Sequence, residues 1–262
     1  MAGAVYTHGH HESVLRAHRW RTIENSAAYL IPHLRAGVRL LDVGCGPGTI
    51  TADFAGRLGL DFVLGIDASV DVIAEAQRDY PNVSFAVGDV YRMNFPDGSF
   101  DIVHAHQVLQ HLADPVAALK EMRRVVRPGG IVAARDADYG SFTWYPDDRR
   151  LLKWLDLYRT IARGNGGEPD TGRQLLAWAQ RVGFSRIEPS ASAWCYATPA
   201  DRSRWGGLWA ERMTSSAIAQ QALREGHATT EELAELADAW RAWAARDDAW
   251  FAVLHGEIIG ER

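Results

Sequence analysis

A chain of 262 residues has room for one α/β domain with additions, or for a domain and a small cap. Its 47% hydrophobic and 23% charged content is that of an ordinary soluble globular protein, and no apolar run nears the ~18 residues a membrane span needs. The formal net charge of −5 speaks against a surface built to hold a long stretch of phosphate backbone. Cys45 and Cys195 form no disulfide framework and have no zinc spacing. The first residues lack a basic region followed by an apolar core, so the cytoplasm is the expected compartment.

In chain order, residues 1 to 37 carry Tyr6, His8, His10, His11, His18 and Trp20 and predict a helix from about Glu12 to Leu34. The histidines there lack carboxylate or cysteine partners at metal-ligand spacing, so no metal is expected. Val38 to Val43 reads as a short buried strand, followed by the alternate glycines Gly44, Gly46 and Gly48 and a helix from Thr49 to Leu58. Glycine suits that turn because a side chain would hold a ligand off the backbone, while the following helix offers unpaired N–H donors. The dinucleotide fingerprint wants Gly or Ala at the sixth position of the motif, and Thr49 stands there.

Three more strands end in polar residues. Asp61 to Asp67 places a carboxylate where an open α/β sheet forms its ligand crevice, although Asp67 also suits a cap for the helix beginning near Ser69. Val83 to Val87 ends in Gly88-Asp89-Val90, and Phe100 to His104 runs into Ala105, His106, Gln107 and, a turn later, His111. His104 alternates with Ile102 and reads as a core residue. A helix from Pro115 to Val126 then leads through Arg127-Pro128-Gly129-Gly130 into a fifth strand, Ile131 to Asp138.

Asp42 with the glycine turn, in the spelling LDVGCGPGT, resembles motif I of the class I S-adenosylmethionine-dependent methyltransferases, in particular the type 11 group that is similar to ubiquinone and menaquinone C-methyltransferases. The resemblance runs from Leu40 to Asp138. It implies a doubly wound, seven-stranded, mostly parallel Rossmann-like α/β sheet closed by an antiparallel hairpin. S-adenosylmethionine is then the implied cofactor, contacted by Asp42, Gly44, Cys45, Gly46 and Gly48, by Asp67 at the ribose with Ala68 and Ser69, and by Gly88, Asp89 and Val90 at the adenine. Ala105, His106 and Gln107 fall where the family passes under the methionine part. Residues 1 to 37 become a lid, with Tyr6, His11, Arg16, Arg21 and Thr22 as candidates for cofactor or acceptor contact and Arg21 assigned to the cofactor. His106 and His111 are the candidate general bases, since unperturbed imidazole titrates nearest neutrality. The absent Asn/Asp-Pro-Pro-aromatic motif of amino-methylating nucleic-acid enzymes speaks against a nucleic-acid acceptor.

Beyond the fifth strand lie nine of the ten tryptophans. Two additions, 139–170 and 199–248, are rich in aromatics and read as helical caps over one domain spanning 38–262. Trp144, Trp205 and Trp209 are candidates to line an acceptor pocket, although such residues also simply bind added helices to a core, or meet a second copy of the chain in a homodimer. The reading is a methyltransferase acting on an O, C or N atom of a small, fairly apolar metabolite of quinone, polyketide, terpenoid or aromatic type, as in secondary metabolism. An S-adenosylmethionine-binding regulator and a protein or RNA methyltransferase stand as alternatives.

Overall fold

A computed structural model describes residues 20–262. In chain order the elements are α1 (Ile23–Ser26), β1 (Leu40–Val43), α2 (Thr49–Leu58), β2 (Val63–Asp67), α3 (Val70–Asp79), β3 (Ser84–Val87), β4 (Phe100–His106), α4 (Pro115–Val125) and β5 (Val126–Ala137). The additions follow as β6 (Thr143–Tyr145), α5 (Arg149–Gly164), α6 (Leu175–Val182), β7 (Arg186–Tyr196), α7 (Pro199–Ser215), α8 (Ala217–Arg224), α9 (Thr230–Ala245) and β8 (Trp250–Glu261). The sheet runs β3-β2-β1-β4-β5-β8, with β1 to β5 parallel and β8 antiparallel.

β8 is the spine of the far half. Its residues 255–261 pair with β5 and its residues 250–252 with β6, while β7 follows its other edge from Arg186↔Glu261 to Tyr196↔Phe251. The short β6 makes eight strands where seven were expected. The anticipated turn before β5 is a loop-out inside the strand: Phe100↔Val126 and Ile102↔Ile131 are both paired, leaving residues 127–130 to bulge.

Strand alternation feeds two cores, as side chains two apart share a face. Leu40, Ile102, Ala133 and Ile259 pack against Phe54 and Ile50 of α2 and against Ile23 and Leu30. Leu41, Val103, Val132 and Ile258 pack against Leu119 and Met122 of α4 and Leu175 and Trp178 of α6. A third core lies beyond the carboxyl ends of the strands, where Trp154, Trp209, Trp240 and Trp243 of the added helices close over Phe251.

The amino-terminal segment departs from expectation. Within the described residues the helix predicted to reach Leu34 is only α1 and a 3-10 turn, Ala28–His33. Thr22 is the N-cap of α1 in a reciprocal capping box with Asn25, so helix starts here instead of passing through. Ile23, Ala27 and Leu30 are then buried under the sheet, leaving Trp20 and Arg21 as the part that reaches the strand ends.

Candidate active site

The glycine turn shapes one wall of a cleft at the carboxyl ends of β1, β2, β3 and β4, with a volume of about 460 Å³. Gly44, Gly46 and Gly48 all have left-handed φ, at +66°, +56° and +86°. A Cβ on Gly44 would stand 2.4 Å from a Val108 methyl that also lines the cleft, so no other residue fits. Asp67 accepts from the Gly46 N–H at 3.2 Å and the Ser69 N–H at 2.9 Å, tying the turn to β2. Ser69, rather than Asp67, caps α3. Asp89 accepts from the Tyr91 N–H at 2.9 Å and faces the cleft from β3. Burial, with the nearby Asp42 and Asp67, pushes the Cys45 thiol up, so it stays a neutral part of the wall.

Asp42 lines this cleft but is almost fully buried, and both its oxygens are taken, by Thr51 Oγ1 at 2.6 Å and His104 Nδ1 at 2.8 Å. Its carboxylate therefore fixes the turn to α2 and β4. His104 is a core residue against Phe54, as its alternation with Ile102 indicated.

A second cavity of about 340 Å³ lies between the sheet end and the added helices. Trp20, Tyr139, Phe142, Trp194, Tyr196, Trp205 and Leu208 give it apolar walls. Arg21, Gln107 and His111 line both cavities, so these three residues form the shared wall. Gln107 is held there from two sides: Arg21 donates to its Oε1, and its amide lies 2.9 Å from His255 Nε2. The His255 Nδ1 lies 3.1 Å from the Val253 carbonyl, which only a protonated Nδ1 can satisfy, so Nε2 accepts from Gln107.

His106 lines the cofactor-side cleft only, with neither ring nitrogen hydrogen-bonded among the described residues. Burial, helped by the Arg21 and Arg135 guanidiniums, holds its pKa well below the usual imidazole range. His111 is pushed down to about 3 by burial and Arg21. Both are neutral.

Some expected contacts are absent. Ala105 is buried in β4 and Gly48 closes the turn from behind, so neither lines the cleft. Trp205 lines the second cavity, but Trp144 stacks on Phe251 at 5.7 Å and Trp209 is fully buried between Trp154 and Tyr158. Both are packing residues because their helical or strand faces point into the third core. Tyr6, His11 and Arg16 lie outside the described residues. Sequence reasoning missed His255, Trp194, Tyr196, Arg204 and Arg212; the one available signal was charge and imidazole inside strands that otherwise read as core, Arg135, His255 and Glu257 among them.

This strand order, with a cleft over the carboxyl ends of the first strands, is that of the class I methyltransferase fold. Residues 41–134 match the family described as a methyltransferase domain. An uncharacterized methyltransferase of Schizosaccharomyces pombe is 34% identical over 270 residues, 97% of this chain and 95% of that protein. Demethylmenaquinone methyltransferase of Beutenbergia cavernae is 30% identical over 196 residues, 73% of this chain and 75% of the relative. Among solved structures, phosphoethanolamine N-methyltransferase 2 of Haemonchus contortus superposes with a TM-score of 0.56 at 19% identity, over 95% of this chain and 58% of that one. The chain belongs to the S-adenosylmethionine-dependent methyltransferases of this methyltransferase-domain family. Its cofactor is S-adenosylmethionine.

Proposed function

We propose that the enzyme methylates an O, C or N atom of a small, largely apolar molecule held in the 340 Å³ aromatic cavity. The observation that carries this reading is the shared wall: Arg21, Gln107 and His111 face both that cavity and the 460 Å³ cleft. Demethylmenaquinone methyltransferase and 2-methyl-6-phytyl-1,4-hydroquinone methyltransferase among the relatives support an apolar ring as the methylated part of the acceptor.

The cleft's donor set fits the cofactor. The Asp67 carboxylate suits a pair of ribose hydroxyls, since an ionised acceptor makes the stronger hydrogen bonds. Asp89 and the backbone of Val90 suit the adenine edge, and the side-chain-free turn at Gly44 and Gly46 lets backbone approach the ligand. His106 offers unpartnered ring nitrogens from a neutral imidazole, which do not repel a cationic sulfonium. When bound, the cofactor supplies a methyl group already activated for in-line attack.

What remains for the chain is positioning and exclusion of water. Trp20, Trp194 and Trp205 wall off the acceptor, and Gln107 fixes Arg21 at the junction. His111, facing both ligands, holds a hydrogen bond to the acceptor; at about 3 its basicity is too low to strip a proton from a neutral phenol or amine before transfer. Residues 139–170 and 199–248 act as the cap, and Trp20 and Arg21 close the cavity from the amino-terminal side.

Calorimetric titration with S-adenosylhomocysteine and NADH on the wild type and on Asp67→Ala tests the cofactor side. S-adenosylhomocysteine should bind the wild type, NADH should not, and the variant should lose at least about tenfold in affinity while remaining folded. Unchanged affinity in Asp67→Ala would remove Asp67 from the site.

A further inference from the structure

Two consecutive glycines, Gly206 and Gly207, stand in the middle of α7, the helix that forms one side of the aromatic cavity. Glycine is the least favourable residue but proline inside a helix, so the pair calls for a physical cause. Gly206 has one in packing. A Cβ there would stand 2.7 Å from the Ala244 Cβ and 2.8 Å from the Trp240 carbonyl oxygen, so its absence lets α7 and α9 meet closely. Gly207 has no such neighbour. A Cβ there would meet nothing within 4 Å among the described residues, and its backbone has no left-handed φ to favour glycine.

What Gly207 does border is the cavity. Ser203, Gly207 and Glu211 follow each other at i, i+4, i+8 along α7, beside the parallel row of Arg204, Leu208 and Arg212. The second row is turned inward, with Leu208 and Arg212 buried, whereas Ser203 and Gly207 of the first are exposed. All other lining residues among those described are buried or half-buried, so the cavity reaches the surface along Ser203 and Gly207. Both are small. A larger side chain at 207 would stand in the open space at this mouth.

A mouth used only for entry tolerates a side chain, since exposed rotamers swing aside within nanoseconds. A gap kept at a standing cost to the helix suits something that fills it in the bound state. We propose that Gly207 is a specificity-determining residue: its missing side chain leaves room for a flexible chain on the acceptor to pass out over α7 while the ring stays between the aromatic walls. This rests on the aromatic cavity being the acceptor site. It narrows the acceptor to a ring that bears a chain, as against a bare ring enclosed by the cavity.

Two probes test it, 1-naphthol and 4-hexyl-1-naphthol, titrated calorimetrically onto the full-length protein saturated with S-adenosylhomocysteine. The wild type should bind both. Gly207→Leu should weaken the hexyl probe at least about tenfold, the scale of two methylenes losing their contacts, and 1-naphthol less than about twofold. Gly207→Ala should fall between the two for the hexyl probe, yet have a higher urea midpoint than the wild type, because alanine is the better helix former. Weaker hexyl binding by a more stable protein does not come from damage to the fold. Gly206→Ala, with its clash against α9, should instead lower the midpoint. Equal losses for the two probes, hexyl affinity unchanged in both Gly207 variants, or a wild type that takes 1-naphthol but not the hexyl probe overturns the assignment and leaves the cavity as acceptor site. Binding of neither probe to protein that does bind S-adenosylhomocysteine overturns the acceptor-site reading and this inference together. The alanine variant decides by itself should the leucine variant not fold.

Discussion

Gln107 sits at φ +54°, the one non-glycine residue in the left-handed region among those described. Its backbone N–H donates to the Arg135 carbonyl at 2.7 Å, and its side chain is fixed by His255 and Arg21, so three contacts hold a conformation that costs of order 1 kcal/mol or more. Gln107→Gly and Gln107→Ala delete the same side-chain bonds but differ in tolerance of positive φ. The glycine variant should therefore be the more stable of the two by about 1 kcal/mol in urea unfolding. Equal stabilities would mean that the backbone relaxes once the side chain is gone.

Asp136, one residue beyond Arg135 and fully buried, accepts from the Gln110 N–H at 3.1 Å through one oxygen, while the other has no hydrogen-bond partner among the described residues. Burial pushes its pKa up to about 7, against about 3.9 in an unfolded chain. Between those values the folded state keeps a proton that the unfolded state releases, so its contribution makes stability fall as pH rises from about 4 to 7 and level off above. Urea unfolding at pH 5, 6, 7 and 8 should show that slope in wild type minus Asp136→Asn. A flat difference would show that the carboxyl titrates at an ordinary value.

At the scale of elements, the central strands carry an ion pair in otherwise apolar surroundings. Arg135 on β5 stands across from Glu257 on β8 in register, donating from Nε at 3.1 Å, and Glu257 also accepts from Ser190 at 2.7 Å and from Ser192 on β7. Three strands are thereby joined by one buried carboxylate. Removing one partner leaves the other charge stranded, so Glu257→Gln should cost about 3–5 kcal/mol, and Arg135→Met with Glu257→Leu together less than the sum of the single changes. A cost for Glu257→Gln below about 1 kcal/mol would mean that the serines and water replace the pair.

The elements from Leu40 to Asp138 were legible because β1, β2, β3 and β5 each end at a glycine or an acid, Gly44, Asp67, Gly88 with Asp89, and Asp138, with a strong local reason to be there. The amino-terminal helix was overextended for want of one local signal, since Thr22 and Asn25 spell a capping box with Asn in place of the usual Glu. The aromatic cavity was not legible in detail. Trp205 and Trp209 are four residues apart and share one side of α7, and helical spacing alone does not say which of them reaches a cavity and which is sunk in the core. His255 meets Gln107 across 148 positions of sequence, a contact with no local trace.

At the scale of the whole molecule, two cavities share one wall. Because Arg21, Gln107 and His111 face both, whatever orders that wall for one ligand is already done for the other. S-adenosylhomocysteine should raise the affinity for an apolar aromatic probe, 1-naphthol, severalfold, and 1-naphthol should raise S-adenosylhomocysteine affinity by the same factor, as linkage requires. Titrations in both orders check this; a factor of one would mean that the wall is equally ordered with either site empty.

β8 carries a different consequence. The three added helices α7, α8 and α9 leave the sheet after Tyr196 and return before Phe251, and those two residues are directly paired neighbours on β7 and β8. Their ends are thus as close as those of any hairpin, about 5 Å apart. An excursion with adjoining ends can lengthen, shorten or change sequence over evolutionary time while the strands beneath keep their register, because loop closure is already accomplished by the pairing. A scaffold of this kind can keep its cofactor half intact while the α7 side of the aromatic cavity changes through this segment.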